Sequence, residues 1–193
     1  MLSAGLDAMT EILVLCTANV CRSPMAQKLL NRELAALGEP VMVRSAGSLG
    51  SGAPPPAEVV AAMASYGLDV SGHRSYRVAG EDLARSDLVL AMAREHLRDA
   101  VVAVPAAWPR AFTLRELVRR GADIGRRRPG ETLPGWLARA HEGRSRMALL
   151  GDSPADDIAD PMGGSPGEYA QTAAELQILS RRLADLGWGA APA

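Results

Sequence analysis

Cysteine is scarce in this chain: two of 193 residues, Cys16 and Cys21. Two thiols cannot complete a four-cysteine zinc site or a disulfide framework, and a domain of this length does not need a bridge to fold. Charge of one sign is also missing. Lys and Arg total 21 against 22 Asp and Glu, a net charge of −1, which gives no reason to invoke nucleic acid or an anionic membrane as partner. Lysine occurs once, as Lys28, so the cations are otherwise arginines, a composition bias whose densest run, Arg126 to Arg128, reads as a solvated loop. Long apolar runs are absent: Ile12 to Leu15 is the longest near the N-terminus and is far too short to span a bilayer. Residues 1–10 hold no basic residue, so they lack the start of a secretory signal and read as a disordered extension. The expected compartment is the cytoplasm, where thiols stay reduced. What is present is ordinary for a globular domain, 48% hydrophobic and 22% charged.

The hydrophobic pattern alternates short strands with helices. Ile12 to Leu15 is a buried strand, followed by a loop from Cys16 to Arg22 and a helix with Ser23 as N-cap and Pro24 at its first position. Met25, Leu29, Leu30, Leu34 and Leu37 keep helical spacing until Gly38. Further strands are expected at Val41–Val43, Leu88–Leu90 and Ala111–Phe112, with helices after Pro56, over Ala93–Val104, over Leu114–Arg119 and over Pro166–Leu186. Residues 121–159 read as an irregular insertion with a helix near Trp136–Ala140. The whole is an α/β chain with a mainly parallel sheet covered on both faces, residues 11–193 forming one domain. Ligands of such sheets bind beyond the carboxyl ends of the strands, which is where Cys16 falls.

The loop Cys16-Thr17-Ala18-Asn19-Val20-Cys21-Arg22-Ser23 joins that first strand to a helix N-terminus. Converging backbone N–H groups and the helix dipole make such a loop a cradle for an anion. The guanidinium of Arg22 binds two phosphate oxygens at once. The same field favours the thiolate of Cys16, and the Ser23 hydroxyl can donate to it. Cysteine and arginine at this spacing form a weak pattern alone, and a lone strand-end cysteine is more often a small buried residue. Set between a buried strand and a Pro-started helix, the pattern is specific.

With these residues the chain resembles the low-molecular-weight protein-tyrosine phosphatase family. Arg44-Ser45-Ala46-Gly47, Gly72-His73-Arg74-Ser75, Asp87 to Met92 and Asp160-Pro161 match later family blocks in order and spacing. The resemblance implies a three-layer fold, a four-stranded parallel sheet between helices with the phosphate loop at the first βα turn. It implies a metal- and cofactor-independent phosphatase in which Cys16 attacks phosphorus to form a phosphocysteine. Arg22 would bind the phosphoryl oxygens, and Asp160 would protonate the leaving group and then activate water. Thr17, Ala18, Asn19, Val20, Cys21 and Ser23 would line the phosphate, while Asn19, Ser45 and His73 hold the loop in shape. Asp152, Asp156 and Asp157 are nearby rivals of Asp160. His96 and His141 match no motif and receive no role. Cys21 resembles the family's second loop cysteine and could form a reversible disulfide that shields Cys16 from over-oxidation. The implied partner is a phosphorylated protein, with inorganic phosphate as product, and neither nucleic acid nor membrane.

Two departures bear on the substrate. Eukaryotic members place tyrosines after Asp-Pro and an aromatic residue after the second strand, where this chain has Met162-Gly163-Gly164-Ser165 and Ser48-Leu49-Gly50. Leu49, Met162 or Trp136 from the insertion could replace those walls. The tail from Asp160, with Tyr169 and Glu175-Leu176, looks more like the bacterial protein-arginine phosphatase branch. That branch has threonine where this loop has Val20, whose methyls suit an aryl group better than a guanidinium. Phosphotyrosine is therefore the expected substrate and phosphoarginine the alternative. Arsenate reduction and a silent phosphoprotein-binding module stand further off.

Overall fold

In the computed structural model, which describes residues 9–189, four strands alternate with seven α-helices. They are β1 (Thr10–Cys16), α1 (Arg22–Ala36), β2 (Val41–Gly47), α2 (Ala57–Ala64), α3 (Gly80–Arg85), β3 (Leu88–Ala91), α4 (Arg94–Ala103), β4 (Ala111–Thr113), α5 (Leu114–Ile124), α6 (Leu133–His141) and α7 (Pro166–Trp188). The strands form one parallel sheet in the order β2-β1-β3-β4. The extension expected at residues 1–10 lies outside the described residues up to position 8. At its other end the boundary moves, because Thr10 already pairs with Val41 and opens β1.

Why the strands read as unbroken apolar runs is clear from the layers. Ile12, Val14 and Cys16 face α1, α2, α5 and α7, while Leu13 and Leu15 face α3 and α4. On β3, Leu88 and Leu90 join the first layer and Val89 and Ala91 the second. A strand covered on both faces has no polar side to alternate with. Short α3, with one and a half turns and no apolar stripe, was not legible in the sequence. It is started by Asp82, whose carboxylate accepts from the Ala79 N–H at 2.9 Å.

Chain order sets where a ligand can sit. From β1 the chain moves to one neighbour, β2, and later crosses back to the other, β3. The two crossovers diverge at the carboxyl end of β1 and leave a crevice there. Residues 17–21 fill it. Residues 121–159, expected as an irregular insertion, are more ordered than their composition implies, with α6 and a short 3₁₀ turn at Arg146–Leu149. Trp136 is fully buried against Gly121 and Leu186, with its indole N–H donating to the Gly125 carbonyl at 3.1 Å. A border of the active site built on Trp136 is therefore excluded: its apolar ring serves the core.

Candidate active site

The loop after β1 is held from below and from both sides. Gly47, the last residue of β2, lies directly beneath it. A Cβ there would stand 2.5 Å from the Thr17 carbonyl oxygen and 2.8 Å from the Asn19 nitrogen, so only glycine permits the approach. Asn19 takes a left-handed backbone (φ 54°), the only non-glycine residue to do so among those described. Its side-chain amide donates to Ser23 Oγ at 2.8 Å and Ser45 Oγ at 2.9 Å, and its amide oxygen accepts from the Tyr76 N–H at 2.8 Å. His73 Nε2 meets the Asn19 carbonyl at 2.7 Å. Ser45 in turn donates to Gln27 at 2.6 Å. Ser45, on β2, and His73, between α2 and α3, thus both hold Asn19 within the loop.

Of the two parts expected of Ser23, the contact with Cys16 is present and the N-cap is not. Helix α1 begins at Arg22 with Cys21 as N-cap and no side-chain cap, so Ser23 lies inside the first turn. Its hydroxyl is committed instead to Cys16 Sγ, 2.9 Å away, and to Asn19. The N-terminus left uncapped keeps its N–H groups free to face the crevice.

Arg22 is a cation in the first turn of a helix, against the dipole, and is 4% exposed. One terminal nitrogen donates to the Ile158 carbonyl at 3.1 Å; the other reaches Asp160 Oδ2 at 2.6 Å and Thr17 Oγ1 at 3.5 Å. Its Nε is buried with no partner among the described residues. Asp160 is half-exposed and arrives from residue positions 138 further along the chain. Of the rival carboxylates, Asp156 is clamped by Arg94 and Arg119, and Asp157 accepts from the N–H groups of Arg94 and Ser153. Asp160 is the one that reaches Arg22.

The two thiols are free and buried. Burial above all, with the charges of Asp160 and Cys16 adding to it, pushes the Cys21 thiol up to about 12. Cys21 is thus protonated at any physiological pH. Val20, Ala18 and Thr17 complete the loop, Val20 almost fully buried.

Sequence reasoning passed over His96. It lies in α4, just beyond β3, with Nε2 2.9 Å from Thr17 Oγ1 and 3.1 Å from the Glu95 carboxylate. That carboxylate favours the proton on Nε2, leaving Nδ1 as a buried lone pair without a partner among the described residues. Burial, then the charge of Arg22, pushes the imidazole down to about 4, so it is neutral. Its position just past the carboxyl end of a parallel strand was the available signal. Chemically, the assembly offers a sulfur nucleophile with a hydroxyl beside it, a planar cation with an unused buried donor, and a half-exposed carboxyl group across from both.

A sequence model of the family described as low molecular weight phosphotyrosine protein phosphatase matches residues 11–124. The chain belongs to this family. A probable low molecular weight protein-tyrosine-phosphatase of Ralstonia solanacearum is 38% identical over 112 residues, 58% of this chain and 75% of that one. The protein-arginine-phosphatase of Bacillus subtilis is 31% identical over 176 residues, 90% of this chain and 94% of that one. Among solved structures, the low molecular weight protein tyrosine phosphatase from T. tengcongensis superposes with a TM-score of 0.68 at 31% identity, covering 91% of this chain and 98% of the other. The parallel four-stranded sheet between helices is therefore the phosphatase fold. No helix among the described residues is long and apolar enough to cross a membrane.

Proposed function

We propose that this phosphatase hydrolyses phosphotyrosine in cytoplasmic proteins through a phosphocysteine on Cys16. The observation that carries the reading is the arrival of Asp160, 138 positions further along the chain, at the loop end that already holds Cys16 and Arg22. In the first step Cys16 Sγ attacks phosphorus and the P–O bond to tyrosine breaks. Asp160 delivers its proton to the departing phenoxide, which would otherwise leave poorly. Arg22 and the loop N–H groups hold the three phosphoryl oxygens as charge shifts among them, and the unpartnered Arg22 Nε gains an acceptor. In the second step Asp160 takes a proton from water, water oxygen bonds to phosphorus, and the P–S bond breaks. The Ser23 hydroxyl steadies the returning sulfur, and inorganic phosphate leaves.

For the aryl group the supporting features are apolar. Val20 presents methyls within the loop. Exposed Leu49 is tied to the loop by its N–H donating to the Thr17 carbonyl at 2.9 Å, and exposed Met162 follows Asp160 by two residues. These stand where aromatic walls were expected. Phosphoarginine is the second reading, favoured by the span of the match to the arginine phosphatase. A panel of phosphotyrosyl and phosphoarginyl peptides separates them: the higher kcat/KM is expected for the phosphotyrosyl peptide, and the reverse order would overturn that choice. Cys16→Ser should abolish both activities in a folded protein.

A further inference from the structure

Asp160 sits in a stretch without regular structure of its own, residues 150–165, between the 3₁₀ turn and α7. No ladder or helix fixes it, so its placement depends on anchors made by side chains. The strongest is Asp156, 4% exposed. One carboxylate oxygen accepts from Arg94 Nε and a terminal nitrogen at 3.2 and 2.8 Å; the other accepts from Arg119 at 2.7 Å. Arg94 starts α4 and Arg119 lies in α5, so this one carboxylate ties the stretch to two helices. The next residue, Asp157, accepts from the Arg94 N–H at 2.7 Å and the Ser153 N–H at 2.8 Å. Ile158 then uses both ends of its backbone. Its N–H donates to the Met92 carbonyl at 2.8 Å, and its own carbonyl accepts from Arg22 at 3.1 Å. Pro161 restricts Asp160 to extended backbone. From the clamp to the half-exposed Asp160, the chain has little freedom left.

We infer that Asp156 is a positioning residue for the acid step: the Arg94–Asp156–Arg119 clamp sets where Asp160 stands relative to Arg22 and the phosphoryl group. This rests on Asp160 being the general acid, as proposed above. Arg119 is half-exposed but Asp156 is buried, so a loss of stability and a loss of placement have to be read separately. Placement bears on rate, since a misplacement of about 1 Å can cost on the order of 100-fold in rate.

A misplaced acid hurts most when the leaving group needs the proton most. The test is kcat/KM, which reports phosphocysteine formation, on phenyl phosphate (a poor leaving group) and para-nitrophenyl phosphate (a good one). Asp156→Asn and, as a second variant at the half-exposed end, Arg119→Met are measured with thermal unfolding. Each should lose about tenfold or more on phenyl phosphate and only a few-fold on the nitrophenyl ester, within the range of general acid effects. Arg119→Lys should recover much of the loss. In an Asp160→Ala background, Asp156→Asn should cost nothing further. Equal losses on both esters, or a full additional loss without Asp160, would make the clamp merely structural and overturn the inference. If Asp160→Ala itself fails to steepen the dependence on the leaving group, the assignment of the acid falls, and this inference with it.

Discussion

Arg22 and His96 both break a local rule, and the same loop explains each. A cation in the first turn of a helix opposes the dipole, and its burial adds a desolvation cost. The cost is offset by the Ile158 carbonyl and by Asp160. His96 is buried with half its hydrogen-bonding capacity unused, and it supports Thr17. Its proton affinity has a consequence for stability. The unfolded imidazole binds a proton near 6.5 and the folded one only near 4, so between these values the unfolded state holds more protons. Stability therefore falls as pH drops from about 6.5 to 4, by at most on the order of 3 kcal/mol from this group. Urea midpoints measured across that window should fall less steeply for His96→Gln than for the parent. Identical slopes would contradict it.

Among the elements, β1, the loop after it and α1 were legible because each imposes a distinct demand on sequence. An inner strand needs an apolar run, an anion cradle needs its N–H groups and arginine, and a helix needs its stripe. Gly47 belongs to the same argument, because a close backbone approach leaves only glycine. Adding one methyl in Gly47→Ala must displace the loop, since the atoms it meets are backbone. The expected result is a loss of kcat/KM of roughly 100-fold by misplacement of the loop, with the fold retained by circular dichroism. Activity within a few-fold of the parent would contradict the geometry. What sequence could not convey at this scale was the partner of each side chain. For Ser23 the expected contact with Cys16 is present, but its second partner, Asn19, was not legible, and the two together take the hydroxyl from the N-cap role. His96 carries no motif because its partner, Thr17, lies 79 positions away. Leu49 and Met162 could be named as possible walls but not placed, while Trp136, which satisfied the same criterion, went to the core.

Across the molecule, residues 121–159 are a brace on the β4 side of the sheet. Leu133, Trp136, Leu137 and Ala140 enter the core layer beneath α5 and α7, and Leu149 enters the opposite layer. Between them Arg144 is sandwiched, its guanidinium 3.9 Å from the ring centres of both Trp108 and Phe112. Its fork closes on Glu116 with bonds of 2.8 and 2.9 Å. Composition suggested an irregular arginine-rich loop; Arg139 and Arg144 are in fact committed to internal pairings, which no count of residues reveals. Because Glu116 would be left without its partner, Arg144→Met should destabilise the fold by about 3–5 kcal/mol. Since the contacts of Arg144 are with Trp108, Phe112, Glu116 and His141 and not with the phosphate loop, kcat/KM on a small aryl phosphate should stay within a few-fold below the melting temperature. Denaturant unfolding and steady-state kinetics on the same preparation check both halves. A large kinetic defect in the folded variant would assign this stretch to the active site after all.

We propose passage of the phosphoryl group through the sulfur of Cys16, with Arg22 and Asp160 around it. It is tested most directly by rapid mixing of the Asp160→Ala variant, whose phosphoenzyme should break down slowly, with para-nitrophenyl phosphate. After quenching, the phosphate is located by mass spectrometry. One phosphoryl group per chain is expected on Cys16 and none in Cys16→Ala or Arg22→Ala treated alike; phosphate on another residue of the Asp160→Ala variant, or turnover in Cys16→Ala, would overturn the assignment.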